Sequence, residues 1–201
     1  MPRTPVPETI RAIAFSACIV EPELLNSERI KLRFSSYGID VLDSENGLRR
    51  ASLHSVENGS KVCRTCAVVR FDSVPADIIG EEHKRILAGA SIGETFKTHG
   101  WTIYKETRYV GELQVPAESS AVLELMALDA DSSLAIHAYR LLLKKNLQTI
   151  DYATIVEAHH PDYLGRDDLT ALYLVDAPAA LTDDELREFS ELVLLPDQHK
   201  D

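Results

Sequence analysis

Residues 134–161 read LAIHAYRLLLKKNLQTIDYATIVEAHHP: an apolar run, a short polar break, a second apolar run, then a glutamate, two histidines and a proline. The spacing predicts a β-hairpin with strands over 134–143 and 149–158. Glu157 falls near the end of the second strand. An acid there is either a solvated strand-end residue or the proton donor of an active site, and the pattern leaves both open.

Outward from this hairpin the same signals recur. Residues 48–56 read as a strand, Glu57-Asn58-Gly59-Ser60 as a hairpin turn with its Asn-Gly signal, and 61–71 as the returning strand. On the first of these Arg49, Ala51 and Leu53 share a face, opposite Leu48, Arg50, Ser52 and His54. An arginine on that face either points into a pocket or is ordinary strand-end charge. A short strand is expected over 39–42, followed by turn chemistry over 43–47. A longer one is expected over 101–114, where Trp101, Ile103, Lys105, Thr107 and Tyr109 alternate with their neighbours.

Helices are expected around these strands. Pro22 sits where a first-turn proline belongs. From Glu23 the apolar spacing predicts one helix, or two broken near Asn26-Ser27, with Gly38 as the C-terminal cap. The end of 74–87 is helical, Ser91 caps a short helix over 92–99, and 117–126 is helix or strand. Thr182-Asp183-Asp184-Glu185 is a capping box opening an amphipathic helix through Leu194. This order lacks βαβ alternation and predicts the α+β class: an antiparallel β-sheet with helices on one side. The expected organisation is one domain over 1–165, with a C-terminal extension over 166–201 whose helix packs on it.

The chain has 201 residues and a formal charge of −11. That length supports a core without disulfides or metal, and that charge argues against nucleic acid as a partner. It leaves room for an anionic small molecule, because one arginine in a closed pocket dominates its own surroundings. No apolar run reaches the roughly 18 residues a membrane span needs, and the proline-rich start does not read as a signal peptide. No membrane partner and a cytoplasmic location are therefore expected. Cys63 and Cys66 form a CxxC, but residues three apart in a strand face opposite ways and no second pair completes a metal site. They read as plain strand cysteines. Glu157 and His159 share a face with no further ligand identifiable, so no metal is expected there either.

Several motifs, in this order, resemble the chorismate pyruvate-lyase (4-hydroxybenzoate synthase) family. Leu24-Leu25 precedes Arg29-Ile30-Lys31-Leu32-Arg33-Phe34 and Gly38. Leu48-Arg49-Arg50 opens a strand that turns at Asn58-Gly59 and returns to Ala67-Val68-Val69. Ser91-Ile92-Gly93 stands before a short helix and the strand with Lys105-Glu106-Thr107-Arg108. Tyr139-Arg140-Leu141 precedes the strand ending Ile155-Val156-Glu157. The resemblance covers about residues 20–161.

The resemblance implies a chorismate lyase-like fold, in which helical flaps close over a buried pocket beside the sheet. It implies a carbon–oxygen lyase of aromatic acid biosynthesis that releases pyruvate from chorismate and needs no cofactor. Arg49 would grip the carboxylate of a chorismate-like dianion and Glu157 would be the general acid, its pKa raised by an apolar closed pocket. Ile30, Ile92 and Gly93 would line the pocket, and His159 would stand beside the acid where the family carries bulk. Thr65-Cys66, His159, the short link between Gly38 and Arg49 and the tail after Pro161 depart from the family pattern. They bear on the substrate more than on the fold. A rival function is a non-catalytic or differently catalytic domain of the same fold that binds a small molecule, an aromatic acid.

Overall fold

Two Asn-Gly pairs shape the first half of the sheet. Asn46 and Gly47 take φ of 52° and 78°, and Asn58 and Gly59 take 51° and 84°. These left-handed values suit Asn and Gly and match the twist of a two-residue hairpin loop. They join β1 (Gly38–Glu45), β2 (Leu48–Glu57) and β3 (Ser60–Phe71). A computed structural model describes residues 24–173 and 182–194. The expectations at Pro22 and Glu23 lie outside the described residues.

The other strands are β4 (Thr102–Gln114), β5 (Ser133–Lys145) and β6 (Gln148–His159). All six form one antiparallel sheet in the order β1-β2-β3-β6-β5-β4. The hairpin expected over 134–158 is β5–β6, turning at Asn146, whose φ is 55°. The helices are α1 (Asn26–Phe34), α2 (Ala76–Leu87), α3 (Ile92–Thr98), α4 (Ser120–Met126), α5 (Arg166–Tyr173) and α6 (Asp183–Val193). The fold is therefore α+β, an antiparallel sheet flanked by helices.

Helices cover both faces, not one. On the inner face Ile30 of α1 and Leu169 and Leu172 of α5 pack with Ala51, Ala67 and Val110 of the sheet. Ile79 and Ile86 of α2 and Phe96 of α3 pack against Val69, Leu141 and Ile155. Each fully buried isoleucine of this kind contributes about 1.5–3 kcal/mol. On the outer face Val122 and Met126 of α4 and Val193 of α6 meet Val68, Ala138 and Val156. Alternation along a strand shows that both faces are apolar, but not which helix covers which.

The ends of α1 also differ from expectation. The helix starts at Asn26, where the Glu28 carboxylate accepts the Leu25 N–H at 2.7 Å. It ends on Ser35 in the left-handed region, φ 60°, and Gly38 is instead the first residue of β1. Gly38 is needed there because a Cβ would stand 2.4 Å from His54 Nε2. Ser91 caps α3 as expected, accepting from the Glu94 N–H, and Thr182 and Glu185 form the capping box of α6. The segment left open between helix and strand is the helix α4.

Bulges decide which side chains face where. In β3 the pairing passes from Thr65↔Leu53 to Cys63↔His54, leaving Arg64 as an extra residue. Parity switches at that point. Cys63 and Cys66 therefore turn to the same outer cluster, contrary to the expectation from simple alternation. Both are free and buried; burial pushes Cys63 to about 11 and raises Cys66 as well, so neither thiol is reactive at neutral pH. A similar bulge at Arg108 breaks the expected run of Trp101, Ile103, Lys105, Thr107 and Tyr109, turning Tyr109 to the outer cluster.

Candidate functional site

Ala51, Ala67 and Glu157 stand in one cross-strand row on the inner face. The two alanines are short, and the space they leave is a cavity of about 80 Å³. That holds several water-sized groups, on the order of one ring with its substituents. Val69, Leu141 and Ile155 complete an apolar floor. The roof comes from the start of α1 (Leu25, Asn26, Ser27), from Tyr37, and from the start of α3 (Ser91, Ile92, Gly93). The two helix starts touch at a glycine: a Cβ on Gly93 would stand 2.5 Å from Leu25 Cδ2. Lys97 and Glu28, 3.1 Å apart, tie the same two helices at the surface.

Arg49 lies at one end of this cavity and is 2% exposed. Its one hydrogen bond among the described residues goes from Nη2 to the Ala90 carbonyl at 3.2 Å, and its buried Nε has no acceptor. No carboxylate pairs with it among the described residues, and burial lowers its pKa. A guanidinium carries five donors and stays charged, so this is a buried cation short of anionic company. Arg64 shows the contrast. It is equally buried, but it is paired with Glu57, donates to Ser55 Oγ at 2.9 Å and lies over the Phe34 ring at 3.9 Å.

Glu157 lines the same cavity from β6, 5% exposed. Asn26 Nδ2 donates to its Oε1 at 3.4 Å and to Thr65 Oγ1 at 3.0 Å, and the Tyr163 hydroxyl donates to Asn26 Oδ1 at 2.5 Å. Lys105 Nζ stands 3.8 Å and His159 Nε2 3.9 Å from Oε2. Burial by itself raises the Glu157 pKa. Lys105, His159, Arg29 and the Asn26 hydrogen bond outweigh it, so the net shift is downward. The expected raised pKa is thus corrected: Glu157 is a carboxylate, because its surroundings are cationic as well as apolar.

Arg49 and Glu157 are two strands and two residues apart, which puts their Cα atoms ~12 Å from one another on ordinary sheet spacing. Of the other expected site residues, Ile92 and Gly93 line the cavity. Ile30 does not; it is buried in the core between α1 and the sheet. His159 also lies off the cavity, behind Glu157, with Thr65 Oγ1 3.0 Å from its Nδ1. Burial pushes its pKa down to about 4, so it is a neutral imidazole. His137, directly opposite Glu157 on β5, is also buried, stacked on Tyr173 at 3.9 Å, and its pKa is driven well down by burial and by Lys105.

Lys105, Asn26 and Tyr37 are cavity residues that sequence patterns do not single out. Alternation puts Lys105 on the face of Ile103, but a lysine on a strand normally reaches water. Among the described residues no group of three or more His, Cys, Asp or Glu could hold a metal, and no helix is long and apolar enough to cross a membrane. No protein-family model matches this chain, and no curated protein matches it. The cavity thus sets a buried cation, Arg49, apart from the Glu157 carboxylate and the Lys105 ammonium, with an apolar floor between them.

Proposed function

We propose that this protein is a cofactor-independent lyase that eliminates pyruvate from chorismate or a closely related enolpyruvyl ether, giving 4-hydroxybenzoate. One observation carries this reading: a buried arginine without a counter-ion among the described residues and a buried glutamate, distant in sequence, line the two ends of one ring-sized cavity. Arg49 would hold the ring carboxylate in a bidentate grip. Glu157 would stand at the ether and hydroxyl end.

Breaking the ether C–O bond and losing the proton on the neighbouring hydroxyl-bearing carbon makes the ring aromatic. The C–O electron pair leaves on the enolpyruvyl oxygen and the C–H pair enters the ring. Glu157 would give its proton to the departing oxygen and recover one from the ring carbon, and the released enol would become pyruvate by moving its proton to carbon. The acid starts as a carboxylate, so it must first gain a proton. A second negative charge beside it and the exclusion of water both raise a carboxyl pKa, and a bound dianion brings both.

The test is incubation with chorismate, following 4-hydroxybenzoate and pyruvate together. Equal amounts of the two products support the lyase reading; no turnover by the intact protein overturns it. A binding domain for hydroxylated aromatic acids is the second reading. It is favoured by the lowered Glu157 pKa, since a carboxylate accepts a hydrogen bond from a ligand hydroxyl without any chemistry.

A further inference from the structure

Lys105 lies at the Glu157 end of the cavity, its side chain 13% exposed. Its Nζ sits over the Tyr139 ring at 4.6 Å and over Tyr173 at 5.7 Å. An ammonium has three donors. Among the described residues its one hydrogen bond is a long one, 3.4 Å to the Tyr173 hydroxyl, and Glu157 at 3.8 Å is beyond hydrogen-bond reach. Two aromatic faces thus aim a cation with unused donors into the cavity, at the opposite end from Arg49.

We propose that Lys105 binds a second carboxylate of the ligand, so that the site selects single-ring acids carrying two negative groups: one for Arg49, the other on a substituent beside Glu157. This rests on the Arg49–Glu157 reading of the cavity and names its ligand class. Without Lys105 a second carboxylate would face Glu157 directly and be repelled. With it, the second carboxylate has a counter-ion of its own and the ammonium's free donors are used. A monoanion such as 4-hydroxybenzoate leaves those donors unused, so product is held more weakly than a dianionic substrate. In a lyase that removes the second carboxylate as pyruvate, this difference helps the ring product leave.

The test uses two inert probes, 4-hydroxybenzoate and 3-(carboxymethoxy)-4-hydroxybenzoate, titrated calorimetrically into the full chain and into Lys105→Met and Lys105→Arg. Wild type should bind the dianion at least tenfold more tightly than the monoanion. Lys105→Met should lose roughly 10- to 100-fold for the dianion, the usual effect of one charge-assisted hydrogen bond, and under about threefold for the monoanion. Lys105→Arg should keep most of the preference, a rescue that general damage to packing would not give. Equal affinities in wild type, equal losses for both probes, or no binding of either overturns the proposal, and the wild-type comparison decides even if Lys105→Met does not fold. The lyase reading fails separately. No pyruvate from chorismate with the preference intact leaves the ligand class standing. Turnover with an unchanged KM for chorismate in Lys105→Met refutes the role of Lys105 alone.

Discussion

Replacing Arg49 by methionine should make the ligand-free protein more stable. The guanidinium is 2% exposed, lacks a counter-ion among the described residues, leaves Nε without an acceptor and makes one hydrogen bond, to the Ala90 carbonyl. Exchanging buried charge for packed apolar volume is commonly neutral or stabilising by about 1–4 kcal/mol. Losing the bond to Ala90 costs about 1 kcal/mol. Methionine also fills the stem volume along the apolar floor with little strain. The net expectation is a gain of about 1–2 kcal/mol, or roughly 2–8 °C in Tm for a chain of this size. Urea unfolding of the two proteins without ligand measures it. With 4-hydroxybenzoate present at about a hundredfold over its Kd, wild type should gain about 2.7 kcal/mol and the variant almost nothing. A ligand-free variant destabilised by more than about 1 kcal/mol would refute the reasoning: Arg49 would then be a structural cation, not one held in reserve for an anion.

Glu157→Gln keeps the Asn26 contact but removes the titrating proton. Under the lyase reading it should cut kcat by about 10²- to 10⁴-fold while 4-hydroxybenzoate still binds; unchanged turnover would exclude Glu157 as the acid. Acid should weaken the fold early. The His159 pKa is depressed from 6.5 to about 4 by burial, so between those values the unfolded chain binds a proton that the folded chain does not. Stability is full above about pH 6.5 and falls by about 3 kcal/mol by pH 4. His137, shifted the same way, adds to the loss. Urea midpoints measured across pH 4–7 should show this slope, and His159→Gln should flatten it; a flat wild-type profile would contradict a buried neutral histidine. Thr182→Ala removes the side-chain acceptor for the Glu185 N–H and should cost about 1 kcal/mol. Amide exchange in the first turn of α6 would register it, and unchanged protection there would deny the cap a role.

Much of the sheet was legible in the chain alone. Period-two alternation and the Asn58-Gly59 turn placed β2, β3, β5 and β6 to within a few residues, because strand pairing across a two-residue loop is local chemistry. The same holds for the caps at Ser91 and Thr182, where the side chain and the amide it serves are three residues apart. Arg49 and Glu157 stood out through a family resemblance, and alternation correctly put Arg49 with Ala51 and Leu53. Packing between distant segments set the rest. Arg64 and Arg108 bulge out of pairing with other strands, and each reverses the facing of the residues beyond it, which no local window registers. Ile30 shares a helix with cavity-lining Asn26 and Ser27, yet it is turned into the core. The ionisation of Glu157 is set by Lys105, Arg29 and Asn26, residues 52 to 131 positions away in the chain, together with its near neighbour His159. Charge interactions follow distance through space rather than along the chain, so the acid was visible in the sequence, while its protonation state and its partner Lys105 came only from the fold.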